Sequence, residues 1–232
     1  MRIRSLMVIV ASGTLLGLAA CGTSGSAGSR TTPAARSLYS DALAALKSAR
    51  SVRLSGMITN KGQVIRIDMG FFRSGAESGL LTGPFGGASS VSYRLIVTGG
   101  AAYVLIDNQF FQRVLRRSGL PARACALFCG KYIKIPARQF GDFNLNGLIH
   151  EALGSVVKVS PIVTSSTVNG QQAYRLTDTL GEHLYVAKNG THYPIEITNA
   201  GSGALTLSEW NSVAPISAPP ASQIVSLPAA AG

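Results

Sequence analysis

Ser51 to Phe72 reads SVRLSGMITNKGQVIRIDMGFF. Val52, Leu54 and Ile58 alternate with Arg53, Ser55 and Thr59. After Asn60-Lys61-Gly62, Ile65, Ile67, Met69 and Phe71 alternate with Arg66, Asp68 and Gly70. A period of two lays an apolar row on one side of a strand and a polar row on the other. The stretch is therefore two half-buried strands joined by a tight turn.

The same pattern extends outward. Upstream, SLYSDALAALKSAR (Ser37–Arg50) carries Leu38, Ala42, Leu46 and Ala49 at helical spacing, with Lys47 and Arg50 suited to the C-terminal end. Downstream, a weaker strand is expected over Ala76–Thr82, then a loop, GPFGGASS, then VSYRLIVT and AAYVLIDN around Gly99-Gly100. The middle is expected to be helical. DNQFFQRVLRRSG has Asp107 or Asn108 as N-cap, Phe110, Phe111, Val114 and Leu115 on one face, and Gly119 and Pro121 at its end. A short turn or helix (ARACALFC) leads to an extended KYIKIP. FNLNGLIHEALG is expected as a further amphipathic helix with Leu145, Leu148, Ile149 and Leu153 inward.

From Val156 the chain reads as strand and turn: KVSPIVTSSTV meets QQAYRLTD across Asn169-Gly170, EHLYVAK meets YPIEITNA across Asn189-Gly190, and GALTLSEW follows. The tail, APISAPPASQIVSL, is Pro-rich with a short amphipathic end. About eleven strands joined by short turns predict an antiparallel sheet with one face covered. So wide a sheet curls. The expected class is α+β: a curved antiparallel half-barrel with helices covering its concave face.

The N-terminus, MRIRSLMVIVASGTLLGLAAC, has Arg2 and Arg4 before an apolar run of signal-peptide length, too short for a comfortable span. Its end, LAAC, resembles the lipobox of bacterial lipoproteins, in which the cysteine is acylated and becomes the new N-terminus. That implies a signal peptide over 1–20, a lipidated Cys21 with a Gly/Ser-rich tether over 21–35, and one domain over 36–232. It also places the domain at the outer face of the cytoplasmic membrane, held to membrane lipid through acylated Cys21.

Removing Arg2 and Arg4 with the leader takes the formal charge from +11 to +9. Apart from Arg113, Arg116 and Arg117 the basic residues are scattered, and no ladder of basic and aromatic residues of the single-strand-binding kind occurs, so no nucleic-acid partner is expected. An exported, tethered chain of this charge suits anionic head groups or wall polyanions.

Catalytic chemistry is poorly supplied. HEALG (150–154) begins like a zinc-protease helix but has Gly154 where the second histidine must stand. His183 and His192 lie on adjoining strands of one hairpin with no third ligand evident. No nucleophile elbow, phosphate loop or dinucleotide fingerprint occurs. No enzyme activity, metal or cofactor is expected. With Cys21 committed to lipid, Cys125 and Cys129 form an even pair in an oxidising compartment, which favours a structural bridge; a redox role is the alternative. Residues four apart in a straight helix stand at the far edge of disulfide geometry, so a bridge implies a distorted helix end, with Gly130 as the exit.

The order of elements, together with KYIKIP, VNGQQAYRLTD, LYVAKNGTHYPIEI and APPASQIVSL, resembles the LolA/LolB-like half-barrel, in particular the actinobacterial LppX/LprG-type lipoproteins. The resemblance implies a U-shaped sheet whose helices fill its mouth, and an acylated lipid or glycolipid held between them by a monomer. Met57, Ile65, Ile67, Met69, Phe71, Phe110, Phe111 and Leu115 would then line an apolar cleft. The same residues would equally make a filled core, in which case the chain is a non-enzymatic envelope scaffold.

Overall fold

The alternation in Ser51–Phe72 becomes strands β1 (Ser51–Asn60) and β2 (Gln63–Phe72), paired antiparallel from Ser51–Phe72 to Asn60–Gln63. The computed structural model describes residues 33–60, 62–85, 88–140, 145, 147, 159–199, 201 and 203–225, all within one unit, Thr32–Gly232. The leader, Cys21, most of the tether and most of the helix expected over 143–154 lie outside the described residues.

The meander continues through β3 (Glu77–Phe85), β4 (Ala88–Thr98), β5 (Ala101–Leu105) and β6 (Tyr132–Pro136). A second meander holds β7 (Thr164–Val168), β8 (Gln171–Thr177), β9 (His183–Ala187), β10 (Pro194–Asn199) and β11 (Gly203–Ser208). Pairing of β1 with β11 joins the two into one open, curved sheet of 12 strands. With β12 (Ile224–Val225) at one edge, its order is β12-β6-β5-β4-β3-β2-β1-β11-β10-β9-β8-β7. The expected α+β half-barrel is the fold found.

Two of the predicted turns form because their residues tolerate positive φ: Asn169 and Gly170 (49° and 79°) join β7 to β8, and Gly99 and Gly100 (58° and 76°) join β4 to β5. Elsewhere the structure departs from expectation. GPFGGASS was expected as a loop, yet β3 and β4 run into it and pair to Phe85–Ala88. Pairing with a long neighbour supplies the backbone hydrogen bonds that a Gly/Pro-rich stretch would otherwise take from water. The turn after β9 is longer than the Asn189-Gly190 pair alone, because Ala187 N–H reaches back to Tyr193 O. The seventh strand starts only at Thr164; Val159 contributes an isolated bridge to Asp178.

The tail adds the twelfth strand. After β11 the Pro-rich chain returns past β1 to β5, and β12 (Ile224–Val225) pairs with β6, the one parallel pairing in the sheet. Val213 on this strap packs against Gly70, where a Cβ would collide with it. Gly70 alternates with Met69 and Phe71, so the strap crosses the sheet's outer face.

Helix α1 (Ala35–Ser48) buries Leu38, Ala42 and Leu46 in the same core as the inner face of β1–β6. Arg73 ties its end down, donating to Ala49 O (2.9 Å) and Leu46 O (3.0 Å). Helix α2 is an α-turn, Asn108–Phe110, running into a π-helical stretch, Phe111–Leu115. Asp107 is its N-cap, accepting from Phe110 N–H at 2.7 Å. The wider π turn brings Phe110, Phe111, Val114 and Leu115 to one buried side, while Arg113, Arg116 and Arg117 stay exposed. A short α3 (Cys125–Phe128) precedes β6.

Candidate functional site

The inner wall of the first meander is built of cross-strand rows. One runs Leu54, Met69, Gly79, Leu95, Val104, Ile133 across β1 to β6. Gly79 is required in that row, because a Cβ there would run into the Met69 backbone and side chain. The row nearest the strand ends runs Val52, Phe71, Glu77, Val97, Ala102, Ile135. Against this wall lie the apolar side of α1 and the Phe110-Phe111 side of α2, with Tyr93 and Phe110 in edge contact at 6.4 Å.

Of the expected cleft residues, Ile67, Met69, Phe71, Phe110, Phe111 and Leu115 meet in this one cluster, and Ile65 packs against it half-buried. Met57 does not join them. It pairs with Arg66 and Ala204, lies one residue out of phase with Ile58, and is 38% exposed on the outer face. Parity decides this, because a strand's side chains change side at every residue.

The wall's polar exception was missed from the sequence. Among the described residues Ser51 and Glu77 are the buried polar ones, and Glu77 is 2% exposed. Desolvation in this apolar row pushes its carboxyl up to about 8. Burial also raises the Tyr93 phenol, to about 12, and that of Tyr39 on α1.

The other candidates separate. His183 shares a hydrogen bond with Thr177 Oγ1 (3.0 Å), and His192 meets Asp41 Oδ2 (3.1 Å) at the other end of the β9–β10 hairpin. Among the described residues no group of three metal-ligating side chains comes together. His150 lies outside them. Cys125 and Cys129 are joined by a disulfide with Cα atoms 4.9 Å apart, closer than a straight helix would set them. Cys129 has already left the helix at φ −62°, ψ 137°. Outside, Arg53 pairs with Asp68 (2.7 Å) and reaches Glu209 (3.5 Å).

Comparison with solved structures now bears on the site. LprF from Mycobacterium bovis superposes with a TM-score of 0.57 at 14% identity, covering 80% of this chain and 96% of that one. The body has the LprF fold. The lipoprotein LppX of Mycobacterium tuberculosis is also matched, with a TM-score of 0.45, 15% identity, and 78% and 99% coverage. No family model matches the sequence, and no curated protein matches it. The likeness to LppX/LprG-type proteins expected from the order of elements holds at the level of fold. The wall described above is the face that α1 and α2 cover. No helix of the described residues is long and apolar enough to cross a membrane.

Proposed function

We propose that the chain is an extracytoplasmic lipoprotein, anchored through acylated Cys21, that holds an acylated lipid or glycolipid against the concave wall. The observation that carries this reading is the fold itself: an LprF-type sheet whose inner face is an apolar wall over six strands, closed by two amphipathic helices. Acyl chains would lie between α2 and the wall, taking up contacts that Phe110, Phe111 and Leu115 make in the lipid-free chain. Each methylene buried there contributes about 0.8 kcal/mol. No catalytic step is assigned: the site holds and releases, and a monomer suffices.

Complete burial of Phe71, Phe110 and Phe111 favours a second reading, an envelope scaffold with a filled core. Native mass spectrometry of protein extracted without added lipid separates the two. A co-purifying acylated species is expected for the lipid holder, and a lipid-free mass for the scaffold. Anchoring is tested separately: Cys21→Ser is expected to leave an unprocessed precursor that takes up no fatty-acid label, and continued cleavage with labelling would refute it.

A further inference from the structure

Glu77 is out of keeping with its surroundings. It opens β3 opposite Phe71 on β2 and Val97 on β4, so its side chain leaves the sheet on the concave side, into the row otherwise made of Val52, Phe71, Val97, Ala102 and Ile135. It is 2% exposed, as buried as Val52, Phe71 and Ala102 and more so than the half-buried Val97 and Ile135. Its carboxyl keeps a sliver of access: among the described residues the fully buried side-chain polar atom without a partner is Trp210 Nε1. Along its own strand the next inward position is Gly79, which adds no side chain. Arg73, four residues before it, is engaged by the carbonyls at the end of α1. A carboxyl set among apolar side chains is costly, and an apolar residue of similar size would suit this row better for stability alone.

We propose that Glu77 is the polar contact of the concave wall for a hydroxyl of the acylated lipid held there. The inference rests on the lipid-holding reading and names the chemistry that the site would select. An uncharged carboxyl offers one donor and spare acceptor capacity, and a hydroxyl offers the complement of both. A phosphate lacks a donor when ionised and would face repulsion from any carboxylate. An ammonium would need the charged carboxylate that this surrounding disfavours. A hydroxyl asks for no net charge and offers the carboxyl the bonds that its apolar neighbours cannot. The position suits such a contact, because the row lies just inside the strand ends, next to the turns at 73–76 and 99–100. Acyl chains could run along the wall with their polar end at that level.

The test uses the full-length mature chain, delipidated in detergent, with two probes differing in one group: dioleoylglycerol, with its free hydroxyl, and the same lipid acetylated there. Retention is read by native mass spectrometry under competition. Wild type is expected to prefer the free hydroxyl by roughly three- to tenfold, the worth of one hydrogen bond. Glu77→Gln, which keeps a donor and an acceptor, is expected to retain part of that preference. Glu77→Leu is expected to lose it while holding the acetylated lipid at least as well as wild type. Equal retention of the two lipids by wild type, or an undiminished preference in Glu77→Leu, overturns the role of Glu77 and leaves the lipid-holding reading standing. Retention of neither lipid by wild type overturns both.

Discussion

The two meanders of this sheet share a wall but are built differently. In the first, β1 to β4 run for 9 to 11 residues, and the inner face carries Phe71, Met69, Tyr93 and Leu95 under two helices. In the second, β7 to β11 run for 5 to 7 residues. Only some of its positions, such as Leu176, Leu184 and Val186, reach the main core. A separate small cluster, Val168, Ala173, Ala187 and Ile195, sits apart from it. In β9, Leu184 and Val186 join the main core while Ala187 joins the small cluster and Tyr185 packs on it, so these strands bury residues on both faces. One half offers a broad apolar surface to helices or ligand. The other sends mainly aliphatic side chains into that core and keeps a small cluster of its own, with Tyr174 and Tyr185 half-buried.

That contrast can be broken most forcefully at Phe111. In a filled core Phe111→Ala costs about 3–5 kcal/mol, and Leu176→Ala in the second half, also fully buried, about 2–5 kcal/mol. Urea midpoints of the delipidated proteins measure both. A Phe111→Ala loss well under about 3 kcal/mol, with Leu176→Ala in its full range, would mean that the wall under α2 is loosely packed without lipid, as a ligand-receiving wall would be.

Glu77 sharpens the comparison through pH. Its folded pKa is raised to about 8 from an ordinary 4.5, so the protonated form is the one that folding favours. Stability is therefore full below pH 4.5 and is lost as pH rises towards 8, by at most about 1.4 kcal/mol per pH unit. Glu77→Gln is expected to remove that dependence and to exceed wild type in urea midpoint at pH 9. Parallel pH profiles for the two would place the burial of Glu77 in error. The smallest effect belongs to the outer face. Asp68→Asn breaks the Arg53 pair, whose side chains are 39% and 48% exposed, and should cost under about 1 kcal/mol in a thermal melt, less in high salt.

The second meander was legible because its turns are chemical. Asn169-Gly170 announces a two-residue hairpin whatever surrounds it, and alternation does the rest. The first was legible in period but not in extent. Gly83, Pro84 and Phe85 read as part of a loop, whereas β3 runs on to Phe85 and β4 begins at Ala88, with Thr82 and Ser92 hydroxyls meeting at 2.6 Å. Phe110, Phe111, Val114 and Leu115 fall within about 140° of arc on an ordinary α-helix, so the π stretch was not legible in their spacing. Glu77 could not be placed from local pattern, because its side of the sheet follows from register with Phe71 and Val97. The parallel β12–β6 pairing joins segments that no short-range signal connects.

The seam between β1 and β11 governs how this chain reaches its fold. Arg53 to Ile58 must wait for Ser208 to Gly203 on β11, while the other neighbour of β1 in the sheet is the adjacent β2. Each meander can zip locally through its hairpins, but closing the seam brings together residues from opposite ends of the body, the slow kind of event in folding. Until it closes, β1 presents a ten-residue edge with open hydrogen-bonding groups. Gly56 faces Leu205 and Gly203 faces Ile58 in that seam, each with so little room that a Cβ would strike the opposite backbone. A methyl group at either position should thus slow refolding more than it disturbs the hairpins, and lengthen the time for which one copy's β1 edge stands open to another's.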